Sequence, residues 1–121
     1  SLFMFHSEDD AKNWTRRGKV TSGGIPGHLL RLDDGTIVLS YGNRGRERPG
    51  VEVKFSDDAG RTWTDPYRVL ATTAGDRGYP SSVQLDDGSI LTAYYAEGLP
   101  EGYAGYHMGV VTWDPVETRE K

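Results

Sequence analysis

The chain contains no cysteine, which excludes a disulfide framework and any thiolate chemistry and fits either a reducing compartment or a secreted protein that relies on its sheets. No apolar run is long enough to cross a bilayer, and no charged start leads into an apolar stretch with a small-residue cleavage site. Basic residues are in deficit, with 14 Lys and Arg against 18 Asp and Glu, for a net charge of −4. A phosphate-binding surface normally carries the opposite balance, so neither nucleic acid nor membrane is the expected partner. Helical periodicity is missing as well.

What is present is a modest apolar content, 36% of 121 residues, enough for one globular unit with a small core. The 16 glycines and six prolines are spread along the chain, which predicts many tight turns and not a flexible linker. That composition suits an all-β protein.

Two blocks recur. Ser56-Asp57-Asp58-Ala59-Gly60-Arg61-Thr62-Trp63 is a Ser-x-Asp-x-Gly-x-Thr-Trp turn, and Ser7-Glu8-Asp9-Asp10-Ala11-Lys12-Asn13-Trp14 is a weaker copy 49 residues earlier. In the first, Ser56 and Asp58 are placed to accept hydrogen bonds from loop N–H groups, Gly60 to take positive φ, and Trp63 to seat the turn on apolar neighbours. In the second, Ala11 stands where the glycine should be and has to bear the steric cost. The other block is Leu29 to Tyr41, repeated 53 residues later as Ser82 to Tyr94, each with Asp-Asp-Gly joining two apolar, β-branched runs as a hairpin.

The alternation predicts strands at about 2–7, 14–20, 28–32, 36–43, 51–56, 63–70, 80–85, 89–96 and 106–113. A period near fifty residues holding four short strands is the size of a propeller blade.

The Asp-box turn and the hairpins resemble those of sialidases and related bacterial-neuraminidase-repeat propellers. The resemblance covers nearly the whole chain and implies antiparallel four-stranded blades of a six-bladed β-propeller, of which about two blades are present, from its C-terminal part. On that frame residues 1–20 are outer strands of a preceding blade with a degenerate box, and 21–70 form a complete blade. Residues 71–116 give three strands of the last blade, and 117–121 a frayed tail. Edges at both ends predict either a piece of a longer protein or self-association that closes the ring.

The resemblance also implies a site. Arg44 matches an arginine that holds a substrate carboxylate bidentately, with Arg77 and Asp76 as further substrate-binding residues. Tyr79, before a Ser-containing strand, matches the nucleophilic tyrosine; a phenolate avoids the repulsion a carboxylate nucleophile would meet from an anionic sugar. The glutamate that activates it in the family is missing from Gly24-Ile25-Pro26-Gly27-His28, leaving His28 as the titratable group there, a candidate base or sugar ligand. The plain structural readings are a solvated arginine loop, a packed tyrosine and a satisfied histidine.

Glu97, Glu101, Tyr103, Tyr106 and His107 sit around Gly-rich turns, a weaker group that suits sugar binding and equally a mobile hairpin tip. No cofactor is implied, and Asp57-Asp58 lacks the spaced ligands of a calcium loop, so no metal is expected. The expected function is therefore the C-terminal segment of a sialidase-like glycoside hydrolase acting on or binding glycans. The alternative is a non-catalytic carbohydrate-binding or structural segment.

Overall fold

A computed structural model describes residues 1–73 and 75–121. Among the described residues there are nine strands: β1 (Leu2–His6), β2 (Thr15–Thr21), β3 (Gly24–Arg31), β4 (Ile37–Asn43), β5 (Gly50–Ser56), β6 (Tyr67–Ala71), β7 (Arg77–Gln84), β8 (Ile90–Gly98) and β9 (Ala104–Trp113). They form three antiparallel sheets in chain order, β1-β2, β3-β4-β5-β6 and β7-β8-β9. The protein is all-β in its sheets, and the sheets do not close on themselves.

The Asp-box turn is held by the side chains its residue types promise. Ser56 Oγ accepts from Gly60 N at 2.8 Å, Asp58 Oδ1 from Arg61 N and Thr62 N at 3.0 and 2.8 Å, and Asp58 Oδ2 from the Thr62 hydroxyl at 2.5 Å. The copy at Ser7 repeats this, with Ala11 N on Ser7 Oγ at 2.9 Å and the Asn13 amide on Asp9 Oδ2 at 2.6 Å in place of the threonine. Ala11 does take a left-handed φ of 65°, against 83° at Gly60.

Val51, Val53 and Phe55 alternate along β5 and, with Leu32 and Val38 of the same sheet, meet Ile90, Tyr94, Ala96 and Trp113 of the third sheet in two buried clusters. Phe55 packs edge-on against Tyr67 and Trp113 at 5.8 and 6.1 Å between centroids. A hydroxyl chain crosses the same seam: Ser40 and Ser82 at 3.1 Å, Ser82 and Thr92 at 2.8 Å, and Trp113 Nε1 donating to Thr92 at 3.0 Å. Every member has a partner, so burial of these hydroxyls carries little penalty. At one end the seam narrows until backbones touch: a Cβ on Gly42 would stand 2.8 Å from Gly78 Cα and 3.0 Å from Arg77 O.

Three expectations need correction. β3 and β7 begin at Gly24 and Arg77, earlier than the expected starts near 28 and 80, because each strand passes its proline by a register shift, between Gly24 and Gly27 and between Gly78 and Ser81. β6 begins at Tyr67 and not Trp63. The tail does not fray: Pro115–Arg119 is a short helix, α1, with Asp114 Oδ1 accepting from Val116 N and Glu117 N at 2.8 and 3.1 Å and proline at the first helical positions.

Candidate functional site

β4 and β5 pair from Ile37 with Ser56 to Asn43 with Gly50. The Asp-box and the loop after Asn43 therefore sit at opposite ends of the second sheet, roughly 20 Å apart for a seven-residue strand. The arginine loop shares its end of the molecule with the start of β7, through the Gly42–Gly78 contact.

Arg44, Asp76 and Tyr79 meet there. The Arg44 guanidinium lies over the Tyr79 ring, 5.4 Å from its centroid, and its Nη2 stands 3.3 Å from Asp76 Oδ1. Both charges are partly exposed, so the pair contributes little stability and leaves its groups accessible. Asp76 is itself oriented from behind, its N–H donating to Glu97 Oε2 at 3.1 Å. Tyr79 follows Gly78, and both take left-handed φ, 50° and 105°. This bulge turns the ring outward, where it is 55% exposed and meets Tyr95 edge to face at 5.9 Å. Tyr95 stacks in turn on Tyr106 at 5.9 Å. A left-handed φ on a tyrosine costs of order 1–3 kcal/mol and persists only where the surroundings impose it.

The other two predicted residues do not join this cluster. Arg77 is only 3% exposed, and its donors go to backbone carbonyls: Nε to Asn43 O at 3.0 Å, Nη2 to Gly45 O at 3.2 Å and Nη1 to Gly75 O. Burial first, and the nearby Arg44 charge second, hold its pKa below the usual arginine range. His28 lies deeper in the seam, where its Nδ1 accepts from Ser82 N at 3.3 Å. Ser82 is three residues beyond Tyr79, roughly 10 Å along the strand. Among the described residues neither an imidazole nor a carboxylate hydrogen-bonds to the Tyr79 hydroxyl.

The structure also holds a tyrosine and carboxylate pair that sequence reasoning missed. Glu52 is 4% exposed, and its two oxygens accept from the Tyr41 hydroxyl and from Asn43 Nδ2, each at 2.9 Å. It lines a cleft of about 270 Å³ with Thr21, Gly24, Tyr41, Asn43 and Lys54. Lys54 donates to Val20 O at 2.9 Å. Burial, and then the Glu52 charge, push the Tyr41 phenol above its ordinary value. Tyr41 is thus held protonated, a hydrogen-bond donor to Glu52 and not a phenolate nucleophile.

Of the weaker group, His107 packs against Tyr103 and Tyr94 at 4.7 and 5.7 Å, on the β8-β9 side. No protein-family model matches the chain, and no curated protein matches it.

Proposed function

We propose that this chain is the C-terminal part of a sialidase-like β-propeller, its three sheets being one blade and portions of two neighbours, and that the rim at Arg44, Asp76 and Tyr79 binds a glycan. The observation that carries the reading is the Arg44 guanidinium held over an outward-turned Tyr79 ring and beside Asp76. Such a group offers an aromatic face for a sugar ring, N–H donors for a carboxylate or hydroxyl, and a carboxylate acceptor for a further hydroxyl. Asp76 meets the guanidinium at Nη2, and the planar fork carries further N–H donors that a ligand can use.

The blade reading draws support from the outer faces. Leu2 and Met4 approach the second sheet, near Gly27 and Gly60, while Phe3 and Phe5 on the other face of β1 are 45% and 50% exposed. On the third sheet Val83, Met108 and Val110 are 51%, 80% and 62% exposed. Apolar faces of this kind are what a further sheet covers, either more of the same polypeptide or another copy.

Between the two functional alternatives, binding without turnover is favoured. A phenol needs a neighbouring base to become a nucleophile, and none is seated on the Tyr79 hydroxyl among the described residues: Asp76 faces Arg44, Glu52 takes the Tyr41 hydroxyl and His28 the Ser82 N–H. On this reading the rim binds, and hydrolysis would need an acid and a base brought onto the Tyr79 hydroxyl and the leaving group. The test is a panel of sialosides and neutral glycosides scored for both binding and release of sugar. Saturable binding lost in Arg44→Ala, with no turnover, supports the reading. Turnover abolished in Tyr79→Phe would replace it with the hydrolase.

A further inference from the structure

Arg44 is flanked by two residues that are each fixed from both sides. Asn43 offers its carbonyl to Arg77 Nε at 3.0 Å and its Nδ2 to Glu52 at 2.9 Å. Gly45 offers its carbonyl to Arg77 Nη2 at 3.2 Å and its N–H to Asn43 Oδ1 at 2.8 Å. The third arm of Arg77 reaches Gly75 O, next to Asp76. Two buried charged side chains, Arg77 at 3% and Glu52 at 4% exposure, therefore converge on the one loop that carries Arg44, and one of them also holds the turn that carries Asp76.

Burying these groups is costly, and an apolar residue of similar volume would pack the same space more cheaply. What an apolar residue cannot do is bind three carbonyls on two loops at once. That requires the planar fork of an arginine, with its five N–H donors in fixed directions. Lysine has a single ammonium on a flexible stem and cannot span the three. Glu52 is likewise unpaired with any cation within 4 Å among the described residues; its two acceptor oxygens serve Tyr41 and Asn43.

We infer that Arg77 and Glu52 are positioning residues: they hold residues 43–45 and 75–76 in one arrangement, so that Arg44 stays over Tyr79 and beside Asp76 before any ligand arrives. The inference rests on the reading of that rim as a glycan site. Its physical consequence is preorganisation, in which the loop-ordering cost is met on folding and not on binding.

The experiment measures two things on the 121-residue chain, the ¹⁵N order parameter of the Arg44 backbone amide and the affinity for sialyllactose and lactose. The variants are Arg77→Met, Arg77→Lys, Glu52→Gln and Arg44→Ala. In the parent chain Arg44 should be as ordered as a strand, near about 0.85, and in folded Arg77→Met it should fall below about 0.6, with affinity for the bound sugar weakened about tenfold. Arg77→Lys should loosen Arg44 almost as much, whereas Glu52→Gln, which keeps an acceptor for one partner, should loosen it less. If Arg77→Met does not fold, the lysine and glutamine variants carry the same readout. An Arg44 order parameter unchanged in these variants overturns the positioning role whatever the sugar does. If Arg44 loosens while the parent and Arg44→Ala treat both sugars alike, the positioning role stands and the glycan reading falls.

Discussion

The Arg119 guanidinium grips the Asp57 carboxylate with both terminal nitrogens, at 3.0 and 2.6 Å. It also lies 5.0 Å over the Phe55 ring, and Asp57 Oδ1 takes a further bond from the Thr36 hydroxyl at 3.1 Å. The short helix α1 is thereby pinned to the Asp-box, 62 residues away in sequence. The acid next to the box's central Asp58 thus serves tertiary structure, at the end of the sheet opposite Arg44.

Arg119→Ala should release the tail and lower stability by no more than about 1 kcal/mol, because the two side chains are 35% and 60% exposed and solvent screens the pair. Asp57→Asn should have a similar effect. A double-mutant cycle in urea, at low and high salt, measures the coupling, which should shrink as salt rises. Additive single-variant effects at low salt would mean that the bidentate contact contributes nothing.

Acid should loosen the two box turns. Hydrogen bonds from the Thr62 side chain first hold Asp58 at about 2, and those from the Asn13 side chain hold Asp9 at about 2, against an ordinary 3.8. A carboxylate whose folded pKa is depressed gives stability that is complete above its unfolded pKa and lost as pH falls through the folded one. Thermal melting should therefore fall between pH 4 and pH 2, and Asp9→Asn and Asp58→Asn should each flatten that dependence. Identical slopes in parent and variants would rule the turns out as its source.

Ala11 offers a gain. Its left-handed φ of 65° is one that a side chain resists and glycine accepts, and the box at Gly60 shows the backbone that glycine supports there. Ala11→Gly should stabilise by roughly 0.5–1 kcal/mol, the strain relieved outweighing the added freedom of the unfolded chain. A lower melting temperature for this variant would mean that Ala11 is not strained.

Gly42 marks a close backbone approach between the second and third sheets. A methyl group there meets backbone, Gly78 Cα at 2.8 Å and Ile25 O at 3.1 Å, and backbone cannot rotate aside. Gly42→Ala should cost about 1–3 kcal/mol by forcing the sheets apart and should disturb Tyr79 with them. Chemical denaturation measures the first and the Tyr79 ring resonances the second. Unchanged stability would mean that the sheets are not in contact at that end.

The strands were legible because two blocks repeat and because alternation marks which residues share a face. What covers that face is not written in the alternation. Glu52 and Lys54 sit between Val51, Val53 and Phe55 on the polar side of β5, yet Lys54 reaches Val20 of the first sheet and Glu52, only 4% exposed, is engaged by Tyr41 and Asn43. The same gap explains Arg77: its type suggested a ligand-binding cation, and only the meeting of two loops turns it inward to backbone carbonyls. Arg44, Asp76 and Tyr79 came from a resemblance in motif order, and their meeting depends on the bulge at Gly78 and Tyr79, for which the Gly-Tyr-Pro run is a visible signal in retrospect. At the tail Asp114-Pro115 is a recognisable helix start, but the helix spans only five residues.

The central claim is that one rim, made by Arg44, Asp76 and Tyr79, binds a glycan. Chemical-shift mapping of the ¹⁵N-labelled chain across a panel of sialosides and neutral glycosides tests it most directly. The account predicts saturable shifts for at least one sugar, centred on residues 43–45 and 76–79 and absent in Arg44→Ala, with the Asp-box amides of 56–63 unmoved. No saturable shift with any sugar of the panel, or shifts centred elsewhere that survive Arg44→Ala, would contradict it.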